Sequence, residues 1–115
     1  MNHTTHKIGI YIRVSTEEQA ENPEGSIKNQ EERLRAAVNL KNFDGNWGQI
    51  TGVFIDRGKS GKDTNRPELQ RLLMAIQKKE INLVMVSDLS RLTRSIRDFS
   101  TIKDLMDDCE CGFYS

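Results

Sequence analysis

The chain has 115 residues, of which 36% are hydrophobic and 30% are charged, a balance that predicts one soluble globular domain rather than a disordered tail. Seventeen basic residues offset seventeen acidic ones, so the net charge is zero. Because sequence-independent DNA binding depends on neutralising phosphates, such a chain would bind DNA only through locally clustered basic residues or with the help of another domain. The sequence has no signal peptide and no apolar run of membrane-spanning length, which predicts a cytoplasmic protein.

Two cysteines, Cys109 and Cys111, are separated by a single residue. A disulfide across such a short spacing would be strained, and two thiols do not complete a zinc site. We therefore expect reduced thiols, as in the cytoplasm, with neither a metal nor a cofactor.

The first predicted strand covers residues 8–16 and alternates in character along its length. Its apolar side comprises Ile8, Ile10, Ile12 and Val14. Tyr11, Arg13 and Ser15 lie on the opposite side, because residues two apart on a strand share a face. A strand buried on both faces should be apolar on both, so this polar face indicates a special role at the end of the strand.

A polar loop that contains proline and glycine follows this strand. Ser26 is placed to cap a helix that runs to about Asn39, since apolar residues recur at helical spacing behind it. Residues 41–48 predict a turn or loop. Residues 50–55 predict a short second strand that ends at Asp56.

The second half of the chain repeats the alternation. Pro67 opens a predicted helix over residues 67–79, with apolar residues at i, i+3, i+4 and i+7. Residues 81–86 predict a buried third strand, residues 96–106 a further helix and residues 111–115 the beginning of a fourth strand. The connections are long enough for parallel pairing, so the predicted fold is α/β with a central parallel sheet.

Charged and hydroxyl residues follow three of these strands. Ser15 and Arg13 end the first strand, Arg66 closes the glycine-rich loop after the second, and Arg91 and Arg94 follow the third. Parallel strands place their carboxyl ends at one edge of the sheet. Arginine grips phosphate bidentately, and a serine hydroxyl needs activation to act as a nucleophile. No histidine lies at these strand ends, so the guanidinium groups would have to activate the serine.

A simpler interpretation remains open at this point. An arginine on a strand is more often half-exposed and solvated, and a serine after a strand is more often a helix cap or a turn residue. Spacing alone does not separate this interpretation from a phosphate-binding active site.

The run from Tyr11 to Thr16, Y-I-R-V-S-T, resembles the Y-x-R-V-S-T signature of the serine recombinases, the resolvase, invertase and integrase superfamily. Further matching blocks follow in the family's order. They are S-I-x-x-Q at residues 26–30, D-x-G-x-S-G at 56–61, N-R-P-x-L at 65–69 and L-S-R-L-x-R-S at 89–95. The insertion at residues 20–25 and the N-R-P-E-L block are more similar to the large serine recombinases than to the small resolvases.

The resemblance implies a resolvase-like three-layer fold, with a central, mainly parallel sheet and helices on both faces. It also implies that residues 1–115 are an N-terminal catalytic domain, truncated before the family's DNA-binding region. Such a fragment is expected to fold but not to recombine DNA alone.

The resemblance implies that Ser15 attacks a DNA phosphodiester to give a 5′-phosphoserine link, followed by strand exchange and religation without ATP or a divalent metal. Arg13, Arg66, Arg91 and Arg94 would bind the phosphate and stabilise the transition state. Supporting positions are also implied: Tyr11, Gln30, Asp56, Ser60, Asp88 and Ser90. The implied partners are double-stranded DNA and further copies of the full-length protein, as a dimer and a synaptic tetramer, in the nucleoid of the cytoplasm.

One position departs from the family pattern. Ser90 stands where the family usually has aspartate before the first arginine of its third block, and Asp88 lies two residues earlier. Asp88 replaces that aspartate only if the loop geometry differs. Two alternatives therefore stay open: a non-catalytic remnant or regulatory module of the same fold, and an unrelated α/β enzyme that acts on small phosphoesters.

Overall fold

The computed structural model describes residues 5–15, 27–58, 67–87 and 96–114. Strands and helices alternate through this part of the chain. The elements are β1 (His6–Ser15), α1 (Ile27–Lys41), β2 (Gly48–Gly58), α2 (Pro67–Gln77), β3 (Leu83–Met85), α3 (Ile96–Asp108) and β4 (Gly112–Tyr114), with a 3-10 turn at Asn42–Asp44. The predicted order of elements and the predicted α/β class are confirmed.

The four strands form one sheet in the order β2-β1-β3-β4, and every neighbouring pair is parallel. β1 therefore lies inside the sheet, between β2 and β3. Because the pairs are parallel, the carboxyl ends of the strands lie at one edge. The polar residues that end β1 are thus at the edge where open parallel sheets usually bind their ligands.

Helices cover both faces of the sheet, as expected. The apolar side of β1 packs against α1, where Leu34 and Val38 belong to the same buried cluster as Ile8, Ile10, Ile12 and Val14. On the opposite face, Tyr11 and Phe54 pack with apolar residues of α2 and α3. Fully burying one such isoleucine stabilises the folded state by about 1.5–3 kcal/mol. The four apolar residues of β1 therefore supply a large part of the core between the sheet and α1.

An irregularity in the β1–β2 ladder sets the register at the carboxyl edge. Ile8 pairs with Ile50, but Gly9 pairs with Gly52, which leaves Thr51 as an extra residue. The Thr51 hydroxyl donates a hydrogen bond to the Ile8 carbonyl at 3.3 Å. Beyond this bulge the ladder continues unbroken and brings Arg13 opposite Asp56 and Ser15 opposite Gly58.

Most of the predicted elements shift by one or two residues at one or both ends. β2 is longer than residues 50–56, because it pairs along the whole of β1 from Gly48 to Gly58. β3 is shorter than residues 81–86, although Ile81 and Val86 are buried, since only three of its residues pair with β1 and β4. α1 continues to Lys41, about half a turn beyond the predicted end.

Candidate active site

The polar face of β1 is buried. Tyr11 is 0% exposed, Arg13 is 6% exposed, and Asp56 on the neighbouring strand is 4% exposed. A half-exposed, solvated strand arginine is therefore not what the fold contains. Burying a guanidinium group and a carboxylate is costly unless both are hydrogen-bonded or paired, so this side of β1 is built for a polar purpose.

The Asp56 carboxylate accepts three hydrogen bonds. Its Oδ2 atom accepts from the Tyr11 hydroxyl at 2.8 Å and from the Leu69 backbone N–H at 3.1 Å. Its Oδ1 atom accepts from the Glu68 backbone N–H at 3.0 Å. The first N–H groups of a helix have no partner within the helix, and negative charge is favoured at that end. Asp56 therefore caps α2 from a neighbouring strand.

This arrangement fixes the start of α2 relative to the sheet. Pro67, the first residue of α2, directly follows Arg66 in the sequence. The Asp56 carboxylate joins this helix end to Tyr11 on β1, and Arg13 pairs with Asp56 in the ladder. Three of the predicted site positions, Tyr11, Arg13 and Asp56, thus belong to one buried unit.

Gln30 lies elsewhere in the site. It is 2% exposed in the first turn of α1, and its Oε1 atom accepts a hydrogen bond from the Ser87 hydroxyl at 3.2 Å. Ser87 follows Val86, whose backbone N–H donates to the Tyr114 carbonyl at 3.0 Å. Gln30 therefore contacts the end of the third strand rather than the Tyr11–Asp56 pair.

Ser87 is a residue that the sequence did not single out. The available signal was its place as the first polar residue after a buried apolar run, at the same sheet edge as Ser15. Its partner on α1 follows from the packing of that helix against β1, which no spacing in the sequence specifies.

Ser15 is the last residue of β1, and its backbone pairs with that of Gly58. The side chain of Ser15 is not among the described atoms. Six other predicted positions lie outside the described residues: Ser60, Arg66, Asp88, Ser90, Arg91 and Arg94. The roles of all seven stay predictions.

Three further findings concern a buried thiol, possible metal ligands and membrane crossing. Burial, with a smaller effect of Cys109, raises the pKa of the Cys111 thiol to about 11, so this thiol is protonated at neutral pH and is a poor nucleophile. Within the described ranges, no cluster of three or more His, Cys, Asp and Glu residues is arranged to hold a metal ion. The helices of those ranges also lack the length and apolar character that a membrane crossing requires.

A family model described as "Resolvase, N terminal domain" matches residues 8–115. The chain belongs to the resolvase family of serine recombinases. This confirms the resemblance in the sequence motifs and the predicted fold. It also identifies the chain as a catalytic domain of the site-specific recombinase kind.

Three relatives show what the chain is similar to. The chain superposes on the crystal structure of the N-terminal catalytic domain of TP901-1 integrase with a TM-score of 0.79 and 36% identity, covering 95% of this chain and 76% of that one. It is 34% identical to the transposon Tn501 resolvase of Pseudomonas aeruginosa over 93 residues, which is 81% of this chain and 37% of the resolvase. It is also 44% identical over 75 residues to immunity region protein 3 of Bacillus phage phi105, covering 64% of this chain and 83% of that protein.

The chain thus spans little more than a third of the length of the transposon resolvase that it matches.

Proposed function

We propose that this domain catalyses site-specific DNA recombination, with Ser15 as the nucleophile that attacks a phosphodiester of double-stranded DNA. The main support is the buried polar unit of Tyr11, Arg13 and Asp56, placed at the carboxyl end of β1 directly before Ser15. Burying Arg13 on β1 and Asp56 on the neighbouring β2 requires desolvating two charges, which is costly, so a buried arginine next to the strand end that carries Ser15 favours a functional role for this edge.

The first chemical step is a transesterification. The Ser15 hydroxyl oxygen forms a bond to phosphorus and loses its proton, while the bond from phosphorus to the 3′-oxygen breaks and that oxygen leaves as a hydroxyl. One phosphodiester replaces another, so the reverse attack by a 3′-hydroxyl on the phosphoserine religates the DNA without an external energy source. The products of the first step are a 5′-phosphoserine and a free 3′-hydroxyl.

The arginines stabilise the charge that develops on the phosphate. Arg13, Arg66, Arg91 and Arg94 are the proposed ligands of its oxygens, because guanidinium groups bind phosphate through paired hydrogen bonds. Arg13 is largely removed from water, and a fixed cation in such a place acts on a developing anion more strongly than a solvated one.

Asp56 and Tyr11 are positioning residues in this proposal. Asp56 accepts the N–H groups of Glu68 and Leu69 and so anchors the helix that begins immediately after Arg66. Tyr11 holds the same carboxylate from β1. Gln30 and Ser87 similarly connect the start of α1 to the end of β3, which leads into the segment that contains Arg91 and Arg94. Ser60, Asp88 and Ser90 are proposed as further supporting residues on motif grounds.

The proposal extends to the assembly. Residues 1–115 form a catalytic domain, and a separate DNA-binding region in the full-length protein supplies most of the DNA affinity, in keeping with a net charge of zero. The full-length protein associates as a dimer and a synaptic tetramer on double-stranded DNA, in the nucleoid of the cytoplasm. These 115 residues alone fold but do not recombine DNA.

One feature supports a second candidate. Ser90 replaces the aspartate of the family's third block, so a non-catalytic module of the same fold remains the alternative. It predicts DNA binding or partner binding without a covalent step.

A covalent adduct separates the two candidates. The full-length protein is incubated with DNA that contains the ends of its own mobile element, and the products are analysed on a denaturing gel. We expect a protein–DNA adduct that disappears in Ser15→Ala and persists in Ser100→Ala, an exposed serine on α3. Binding of that DNA without an adduct in the unaltered protein would favour the non-catalytic module.

A further inference from the structure

A groove of about 400 Å³ opens beside the first turns of α1. It is lined by Ile27, Lys28, Glu31, Glu32, Arg35 and Arg57. Arg57 is the next-to-last residue of β2 and pairs with Val14, one position before Ser15. The groove therefore lies at the same edge of the sheet as the nucleophile, and the established family membership does not assign it a role.

The charges in the groove are not fully neutralised. Arg35 is paired with Glu31 through Nε and Oε2 at 2.8 Å. The other charged residues of the lining are Lys28, Arg57 and Glu32. Two positive charges and one negative charge leave an excess of one positive charge. Within the ranges that the structure describes, neither Lys28 nor Arg57 has a hydrogen-bond or ion-pair partner.

The groove lies on the opposite side of the sheet from the Tyr11–Asp56 pair. Asp56 faces α2, whereas Arg57, the next residue on the strand, lines the groove against α1. Alternate residues of a strand point to opposite faces, so this separation is built into β2. A DNA strand that crosses the sheet edge at Ser15 would meet Arg13 on the α2 side and Arg57 with Lys28 on the α1 side.

We propose that this groove binds a second phosphate of the cleaved DNA strand, adjacent to the one that Ser15 attacks, with Arg57 and Lys28 as its ligands. The inference rests on the proposed function and extends it to a backbone contact that positions the strand without reading its sequence. The ligand is a DNA phosphodiester because two unpaired cations at an open sheet edge suit a chain of regularly spaced anions.

The test measures how the salt concentration affects DNA affinity. The full-length protein with the Ser15→Ala substitution, which blocks adduct formation, is titrated onto its duplex recombination site over a series of salt concentrations. We expect Arg57→Gln to lower affinity roughly twofold to fivefold and to reduce the slope of log K against log salt by about one. Arg57→Lys should keep the slope, because the charge is retained.

Arg33→Gln is the matched control. Arg33 is exposed on α1, the helix that also carries Lys28, but it does not line the groove. Arg33→Gln therefore removes one positive charge, as Arg57→Gln does, without removing the proposed phosphate contact. We expect its slope to equal that of the Ser15→Ala parent. Equal slopes for Arg57→Gln, Arg33→Gln and the parent would overturn the inference.

A chemical change in the DNA locates the contact. A neutral methylphosphonate replaces the phosphate on either side of the scissile one, and affinity is measured for the parent and for Arg57→Gln. At one of the two positions, the methylphosphonate should weaken the parent and leave Arg57→Gln unchanged. Additive losses at both positions would contradict the proposed site. Failure of the proposed function gives a different result, namely no Ser15-dependent adduct in the unaltered protein.

Discussion

Asp56 illustrates how one side chain connects three parts of the fold. Its two carboxylate oxygens accept hydrogen bonds from the hydroxyl of Tyr11 and from the backbone N–H groups of Glu68 and Leu69. All three donors are neutral, and the carboxylate is nearly inaccessible to water. The family motif indicated that Asp56 belongs to the site, but the motif did not reveal that its partner is the end of a helix.

Asp56→Asn tests this capping role. The amide has almost the same shape but only one acceptor oxygen, so at least one of the three donors loses its partner. We expect the free energy of unfolding to fall by about 1–3 kcal/mol, the usual cost of an unsatisfied buried polar group. Urea denaturation of this chain measures the change, and Asp44→Asn, at an exposed position, should cost less than about 0.5 kcal/mol. Equal values for the two variants would show that Asp56 is not a structural cap.

Cys111 provides a pH-dependent test at the same scale. Burial raises its pKa from 9.0 to about 11, so the folded state keeps the thiol proton in a range where the unfolded state loses it. The favourable contribution is therefore complete below pH 9 and declines as the pH rises toward 11.

Cys111→Val removes the titrating group and keeps an apolar side chain. We expect the unfolding free energy of the unaltered chain to drop by about 1 kcal/mol more than that of the variant between pH 7.5 and pH 10. Groups that do not interact with Cys111 affect both proteins equally, and Cys109→Ser in both proteins removes the neighbouring thiol that contributes to the shift. Parallel pH profiles would mean that the thiol ionises as readily in the folded chain as in the unfolded one.

At the scale of elements, periodicity predicted the fold well. The alternation of β1 placed Ile8, Ile10, Ile12 and Val14 on one face, because successive side chains of a strand point to opposite faces, and that face packs against α1. The spacing of leucines after Pro67 similarly predicted α2. These signals are local, and each depends only on which face of one element is buried.

Contacts between elements were harder to predict. The extra residue Thr51 sets the pairing of Arg13 with Asp56, and the adjacent Gly52, an isolated glycine inside β2, is only a weak sequence signal of a bulge at that point. The apolar run at 81–86 reports burial, whereas the ladder contains only Leu83–Met85. A bulge and the length of a ladder depend on two paired segments, so the sequence of one segment does not specify them.

The Gln30–Ser87 hydrogen bond is the element-scale contact with a direct test. Ser87→Ala removes the donor and leaves the buried Gln30 amide without this partner, so we expect a loss of roughly 0.5–1.5 kcal/mol in the unfolding free energy. Ser87→Thr, which retains the hydroxyl, should recover most of the loss, and Ser100→Ala should change little. In the full-length protein, Ser87→Ala should also slow adduct formation at saturating DNA. An unchanged rate would restrict Ser87 to a structural role.

At the scale of the molecule, one edge of the sheet gathers the proposed chemistry. Ser15 ends β1, Asp56 holds the helix after Arg66, and Ser87 begins the segment that contains Arg91 and Arg94. The parallel sheet makes this convergence predictable from the order of strands and helices. The groove beside α1 was not predictable, because Lys28 and Arg57 are distant in sequence and meet only through the packing of α1 against the sheet.

The distribution of charge follows the same pattern. The whole chain has a net charge of zero, but the unpaired Lys28 and Arg57 of the groove lie at the edge of the sheet where β1 ends in Ser15. This distribution of charge is consistent with the proposal that another region of the full-length protein supplies most of the DNA affinity, while this domain contacts only the phosphates near the proposed cleavage point.

The most direct test of this account is to identify the residue that is joined to DNA. The adduct formed by the full-length protein is digested with a nuclease and trypsin, and the peptide that covers residues 14–28 is sequenced by mass spectrometry. We predict a residual 5′-nucleotide on the Ser15 hydroxyl, since Ser15 is the last residue of β1 and follows the buried Arg13 by two positions. A nucleotide on Thr16, on Ser26 or on a different peptide would contradict the assignment of Ser15 as the nucleophile.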